Sequence, residues 1–444
     1  GSILGGPRIL QALSMDGLMP KFLSKLSKSG QPTIATWISG LLAIAAVFLG
    51  GLNTIAQYVS VLFLTLYVAI NISAAVEQLI KEPSYRPKIH VPWYVSLLGA
   101  IAAMVVMWLI NPLAFAFALG LEIVIFSYLM NKKLEQQWGD ASTGIWMHLS
   151  RYALLRLSAK KMHPRNWRPI IILFIHQIKE NLPLVKFTEM LGQNSGLLTI
   201  SRLISLTDKE DLERRNEIVF EMQQALKSEG LQALTEVNVV SDFKHGMNHI
   251  AASHGMPGIK TNTVVFGWSK SQEGKHQELQ IIHDLANAGK NILVGYIPTS
   301  FSKKVNKRID IWWRGQDRNG DLMLLLSYLI GLNSKWRKST VNIYSITQSE
   351  KEKMLMEQHI NYSINEARIE ANIHVQTQAV YTPLETLIKI SKNADLVFTG
   401  LARNSDLFEE RVQLIDTIVT QLKAVVFVQN NGMQHETPII FRNK

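Results

Sequence analysis

The sequence predicts a membrane α-helical bundle followed by an α/β region whose parallel sheet is built from two related halves, and three observations carry this. Charge is partitioned along the chain: the first 130 of 444 residues hold seven Lys/Arg and four Asp/Glu, whereas the remainder hold 39 and 31. Two long tracts without a formal charge, 33–76 and 90–121, lie in the charge-poor part. After Pro169 short β-rich runs alternate with polar helical stretches, and the alternation runs twice. The mean hydropathy of +0.08 averages over these unlike regions.

A net charge of +11 raises nucleic acid or an anionic membrane surface as partners. The basic residues are dispersed among strands and turns, with no recognition helix and no RNA-binding aromatic signature, which points away from nucleic acid. Ten Trp and 16 Phe argue against disorder. The absence of cysteine excludes disulfides, thiol catalysis and cysteine-ligated metal.

Residues 1–32 read as the end of a truncated transmembrane helix and a cytoplasmic loop. The opening GSILGGPRILQALSMDGLMP is apolar from its first residue and has no initiator Met, so Gly1 is expected inside or at the end of another helix. Small residues at Gly1, Ser2, Gly5 and Gly6 permit close helix approach, and Arg8 marks the cytoplasmic exit. Leu10 to Leu13, followed by Met15–Asp16–Gly17, reads as a short interfacial helix and turn.

Residues 33–130 read as four transmembrane helices. The tract 33–76 divides at Gly50, Gly51 and Asn53 into pieces of about 20 and 24 residues, each long enough to cross a hydrocarbon core of about 30 Å. Asn111 and Pro112 form the natural turn of a second pair, near 93–110 and 113–130. No signal peptide fits, because a Lys-rich segment precedes the first tract and further spans follow it. Arg8, Lys21, Lys25 and Lys28, then Lys81, Arg86 and Lys88, then Lys132 and Lys133 all fall on one side, and the opposite turns carry no Lys or Arg. The positive-inside rule therefore puts the long C-terminal region in the cytoplasm, with Trp93, Tyr94, Tyr128 and Trp138 near the interfaces.

Two polar residues stand out in these spans. Glu122 in the last one is costly in lipid unless paired or interfacial, and reads as a packing residue or, alternatively, an ion or proton site. Tyr67, within SVLFLTLYVAINIS, reads as an interhelical hydrogen-bond donor or as a phenolic donor to an anion in a dry cavity.

Residues 131–169 form an amphipathic connector. Leu149, Tyr152, Ala153 and Leu157 alternate with Arg151, Arg156, Lys160 and Lys161, giving a basic helix that packs on the scaffold or lies on anionic lipid.

The first α/β half spans 170–302, with strands expected at 170–175, 197–205, 233–240, 261–268 and 291–297 and helices at 208–229 and 275–289. The second half spans 303–444, after the basic turn Lys303–Arg308. Its expected strands are 308–314, 323–330, 340–346, 371–377, 395–401 and 424–430, with helices at 349–367, 383–392 and 405–423. The run MLLLSYLI at 323–330 is read as a strand, with part of a helix as the alternative for so short an apolar run.

No phosphate loop, zinc-protease motif, nucleophile elbow or calcium loop occurs, so the chain reads as no enzyme. His245, His249 and His254 share one segment without a partnering carboxylate motif, and read as surface or packing residues with no metal. Gly246, Gly255 and Gly258 near strand ends leave a nucleotide as a minor option without the glycine fingerprint. No other cofactor is expected.

GSILGGPRILQAL, the span holding Tyr67, RPKIHVPWYVSLLGAIAAMVVMWLINPLAF, Trp138–Asp140, RNWRP at 165–169, TNTVVFGW, Ile281–Asp284 and KRIDIWW at 307–313 together resemble the cation-chloride cotransporter family, in family order and over nearly the whole chain. The likeness is to a prokaryotic-type Na-K-Cl or K-Cl member. It implies an amino acid-polyamine-cation transporter bundle, of which this chain keeps the ninth to twelfth helices plus the cytosolic domain. By resemblance, the intact protein is a chloride-coupled Na+ and/or K+ symporter of the plasma (cell inner) membrane, a homodimer that works by alternating access. The missing N-terminal helices are then partners of this fragment, and Tyr67 matches the family's tenth-helix tyrosine that helps hold the inner chloride. The alternative is a membrane-tethered regulatory or nucleotide-sensing module with no transport of its own. A plain amino-acid/polyamine permease predicts a much smaller cytosolic tail.

Overall fold

The structure, a computed structural model, describes residues 2–27, 30–48, 51–80, 91–131, 141–160, 167–192, 196–299, 307–314, 319–377, 382–401 and 408–430. Lys28, the basic loops holding Lys81, Arg86, Lys88, Lys132 and Lys133, Trp138–Asp140, Arg165–Asn166 and most of the basic turn at 303–308 lie outside these residues. The chain divides into two compact units, Gly1–Ala153 and Leu154–Lys444.

The first unit is helical: α1 (Ser2–Met15), a short 3-10 turn (Lys21–Ser24), α2 (Thr33–Phe48), α3 (Leu52–Ile80), α4 (Trp93–Ile110) and α5 (Pro112–Asn131). A further helix, α6 (Ala141–Ser158), runs through the division between the units and leaves Trp146, Leu149 and Tyr152 exposed. Among the described residues two stretches are long and apolar enough to cross a membrane, Leu52–Leu79 and Trp93–Ile110; Thr33–Ala45 and Pro112–Tyr128 are shorter apolar helical stretches.

Small residues let these helices approach closely. Ala100, Ala114 and Ala118 are fully buried, with Val61, Val68 and Met107 filling the space between α3, α4 and α5. The turn between α4 and α5 is set by Asn111, whose Oδ1 accepts from the Leu113 and Ala114 amides at 3.0 Å each. That side chain caps the first turn of α5 where its own amides lack helical partners. Its Nδ2 donates to Gln57 Oε1 on α3 at 3.0 Å, so one amide both ends a helix and ties a neighbour. Glu122 is partly buried on α5.

The second unit is a single ten-stranded sheet. In chain order it comprises β1 (Ile170–Phe174), α7 (Leu182–Gly192), β2 (Leu197–Ser205), α8 (Lys209–Glu213), α9 (Arg215–Ser228), β3 (Leu234–Val240), α10 (Phe243–Ser253), the small hairpin β4 (Gly255–Met256) and β5 (Ile259–Lys260), β6 (Thr263–Gly267), α11 (Gln272–Asn287) and β7 (Asn291–Tyr296). It continues with β8 (Arg308–Trp312), α12 (Asn319–Gly331), β9 (Thr340–Thr347), α13 (Glu350–Ala367), β10 (Asn372–Thr377), α14 (Pro383–Ser391), β11 (Leu396–Gly400), α15 (Phe408–Gln421) and β12 (Val425–Gln429).

The strand order is β10-β9-β8-β11-β12-β7-β6-β1-β2-β3. Every neighbouring pair is parallel except β7 and β12, which run antiparallel with Val294 opposite Phe427. Leaving out the small hairpin, each half has five strands in the order 3-2-1-4-5, and the halves meet through their fifth strands. The two related halves expected from the sequence are thus fused edge to edge. Helices cover both faces, which is why β1, β7 and β12 are near-continuous apolar runs without alternation.

One expected strand is a helix. MLLLSYLI at 323–330 lies within α12, whose Leu322, Met323, Leu324, Leu326, Leu329 and Ile330 are all buried while Tyr328 is exposed. A helix walled in on most of its circumference loses the 3.6-residue apolar rhythm and looks like a buried strand. The helix expected over 208–229 is divided at Arg214 into α8 and α9, and α7, α10 and the hairpin are further elements.

Candidate functional site

Tyr67 sits in the middle of α3 and is 59% exposed. One turn further on, Asn71 donates from Nδ2 to the Tyr67 carbonyl oxygen at 2.8 Å. On α4, Gly99 faces that asparagine: a Cβ there would lie 3.1 Å from Asn71 Oδ1. The backbone at Tyr67 is therefore held from α3 itself, and α4 comes close because residue 99 has no side chain. Ser2 belongs to α1, and Gly6 faces Ser39 on α2.

In the sheet unit, the strand order reverses direction between β1 and β6, and again between β8 and β11. Crevices open at the carboxyl ends of strands at such points, because the connections leave toward opposite sides. At the β1/β6 point lies a cavity of about 830 Å³. Phe174, Leu203, Phe266 and Met247 supply apolar wall, and Gly267 and Gly295 line it at the ends of their strands. Gly295 has a steric reason: a Cβ there would lie 2.7 Å from Leu184 Cδ1 of α7.

The polar side of this cavity is built where β6 hands over to α11. Ser271 caps α11, accepting from the Gly274 amide at 3.1 Å. Lys275 and Glu278 then fall one turn apart on the same face. Lys275 Nζ donates to Asp416 Oδ2 of α15 at 2.7 Å, and Trp268 Nε1 donates to Asp416 Oδ1 at 2.8 Å. Burial pushes Asp416 up, but the Lys275 and Trp268 hydrogen bonds and the Lys275 charge outweigh it, so its pKa ends below the ordinary value. Glu278 accepts from the Ser269 amide at 2.9 Å. Burial drives its pKa up to about 8 against the smaller opposing effects of that hydrogen bond and of Lys275.

The matching point of the second half is built differently. Trp313, just after β8, is 3% exposed and its ring lies against Gly320, where any Cβ would collide with it. Asn319 donates to the Leu401 carbonyl at 3.0 Å and accepts from the Asn430 amide at 2.7 Å, bridging the ends of β11 and β12. Deeper in this half, Asp310 on β8 is fully buried and accepts from Arg308 through two nitrogens, from Asn342 at 3.1 Å and from Ser391 at 2.8 Å. Arg308 also donates to the Tyr344 hydroxyl at 2.9 Å, and Tyr344 stacks between Trp312 and His374. This cluster pins α14 to the sheet.

The histidines read from the sequence do not converge. His245 and His249 are exposed on α10, whereas His254 contacts Thr261 Oγ1 at 2.6 Å and Glu236 Oε1 at 3.2 Å. Among the described residues no group of three or more His, Asp or Glu is placed to hold a metal ion. Gly246 abuts Val240, and Gly255 and Gly258 shape the small hairpin with φ of 101° and 90°. None of the three lines the cavity. The residues that do, Lys275, Glu278 and Asp416, carry no motif. The only local signal is Lys-x-x-Glu in the first turns of a helix that follows a strand.

Residues 1–173 match the amino acid permease family model, and residues 269–394 match the model of solute carrier family 12. Among solved structures, the cytoplasmic domain of a prokaryotic cation chloride cotransporter is similar at 16% identity with a TM-score of 0.45, over 62% of this chain and 100% of that one. A universal stress protein from Archaeoglobus fulgidus DSM 4304 is similar at 12% identity with a TM-score of 0.43, over 59% of this chain and 97% of that one. Both structural likenesses are too distant to carry an assignment. A permease-like segment of apolar helices followed by a segment similar to solute carrier family 12 within an α/β sheet is the pattern of a membrane transporter with an attached domain.

Proposed function

We propose that this chain is part of a secondary active transporter coupling chloride to sodium and/or potassium symport, with the sheet unit as its cytoplasmic dimerisation and regulatory domain. The observation that carries this is the order of the two family segments, permease then solute carrier family 12, along one chain. On this reading the apolar stretches between 33 and 130 cross the membrane four times, and the basic loops face the cytoplasm. Tyr67 is the chloride ligand. Its phenol O–H donates to the anion without neutralising it, so chloride is held but can leave when the bundle alternates its access. Asn71 occupies the carbonyl acceptor of the same residue and fixes the backbone from which the phenol projects.

The test is ion-dependent chloride uptake into proteoliposomes by the transporter containing this chain and by its Tyr67→Phe variant. A raised KM for chloride with transport otherwise intact is expected, and unchanged chloride affinity rejects the assignment. Light scattering of the purified protein across micromolar concentrations tests the dimer, which a strictly monomeric species would refute. The second reading, a membrane-tethered regulatory or nucleotide-sensing module with no transport of its own, draws on the cavity at the β1/β6 reversal.

A further inference from the structure

The cavity at the β1/β6 reversal has an unbalanced interior. Its lining carries two lysines, Lys270 and Lys275, and three carboxyl groups, Glu180, Glu278 and Asp416. Glu180 and Lys270 are exposed, where water screens them. Inside, the Lys275 ammonium is committed to Asp416 at 2.7 Å. Glu278 is left with a backbone amide as its hydrogen-bond partner and no ammonium of its own. A carboxyl group in such a place either keeps its proton or takes a cation.

The walls around it favour an organic cation over a bare metal ion. Phe174, Phe266, Phe243 and Trp268 present aromatic surface, whose ring faces attract cations. Met247 adds an adaptable apolar contact. A hydrated metal ion would find one carboxyl group here, too few oxygen ligands for a hard cation. The volume of about 830 Å³ is that of a small-molecule site.

We propose that this cavity binds a primary ammonium compound with an aromatic or bulky apolar body, its ammonium on Glu278 and its body against the phenylalanines. The site is independent of the chloride reading, since it lies wholly within the sheet unit. Binding of the cation requires the Glu278 carboxylate, so it expels the proton that the free site holds up to a pH of about 8. His176, just after β1, and His276, which lies on α11 at 3.6 Å from Glu409 of α15, are the neighbouring imidazoles. Lys275 is paired with Asp416 at 2.7 Å.

The experiment titrates the whole 444-residue chain in detergent with 2-phenylethylamine, 2-phenylethanol, 3-phenylpropionate and ATP, followed by calorimetry from pH 5.5 to 8.5. The amine should bind at least about tenfold more tightly than the alcohol at pH 8. Its affinity should fall by about tenfold for each pH unit below that, because one proton is exchanged for one cation. Glu278→Gln keeps a carbonyl acceptor for the Ser269 amide, and should abolish both the amine preference and the pH slope. Equal binding of amine and alcohol, tighter binding of the carboxylate or of ATP, or a pH slope that survives in Glu278→Gln would each overturn the proposal. The comparison of amine with alcohol uses the unaltered protein, so it decides the matter even if the variant folds poorly.

Discussion

Lys275 on α11 and Asp416 on α15 meet at 2.7 Å beside the seam where the two halves of the sheet join. They are 141 residues apart in sequence, and each belongs to a different half. The seam itself is the antiparallel β7/β12 pair, so the ion pair adds a side-chain tie to a backbone one. Trp268 completes the arrangement by holding the other oxygen of Asp416.

Lys275→Met should cost about 1.5–3 kcal/mol, the usual range for a hydrogen bond to a charged group. The thermal midpoint of the sheet unit should fall by roughly 2–4 °C per kcal/mol. Asp416 has a lowered pKa, so its contribution is complete above the unfolded value near 3.9 and is lost as pH falls through the lowered folded value. The variant should therefore show a flatter acid limb in a plot of midpoint against pH below about pH 4. An unchanged acid limb would count against the tie.

Glu278 works in the opposite sense. Its folded pKa of about 8 lies above the unfolded value, so the folded state holds a proton that the unfolded state has already released. Stability falls as pH rises from the unfolded value near 4.3 to about 8, by an amount on the order of a few kcal/mol. Glu278→Gln should show a flat midpoint over that range and exceed the parent protein most clearly at pH 8. Parallel pH curves for the two proteins would show that Glu278 is ionised throughout.

Asp310 is the buried carboxylate of the second half, and Arg308, Asn342 and Ser391 are arranged around it. Asp310→Ala strands the Arg308 guanidinium and the donors of its neighbours, and should cost roughly 3–5 kcal/mol. Denaturant unfolding followed by far-ultraviolet circular dichroism measures it. A loss under about 1 kcal/mol would mean that water replaces the carboxylate.

Gly99 sets the approach of α4 to α3. The nearest atom to an added Cβ is the side chain of Asn71, so Gly99→Ala should be tolerated with a small shift, whereas Gly99→Leu should force the helices apart. Size-exclusion profiles of heated, detergent-solubilised protein should separate the two variants. Equal heat resistance would show that the close approach contributes little.

Much of this architecture was legible along the chain because its signals are local. Uncharged tracts mark apolar helices whether or not their neighbours are known. Nine of the expected second-unit strands lie where β-rich runs sit between turn residues, from IIILFI at β1 to AVVFVQN at β12, and a tenth, ALTEVNVV, is β3. The exception, α12, failed because burial on most sides erases the periodicity that identifies a helix. Tyr67 stood out as a phenol in an apolar run. Glu278 did not, since a glutamate one turn after a lysine is an ordinary surface helix pattern.

By itself the sequence determined that apolar helices come first, that an α/β sheet follows, and that the sheet repeats one plan. Those properties depend on charge, hydropathy and spacing within short windows. Only the tertiary structure decided that the halves share one sheet through antiparallel fifth strands, and that one reversal point is open while the other is bridged by Asn319. It also decided that Lys275 is spent on Asp416, leaving Glu278 beside a cavity without an ammonium of its own. Pairing between residues 141 apart, and the desolvation that raises a carboxyl pKa, depend on what the fold brings near and what it keeps from water.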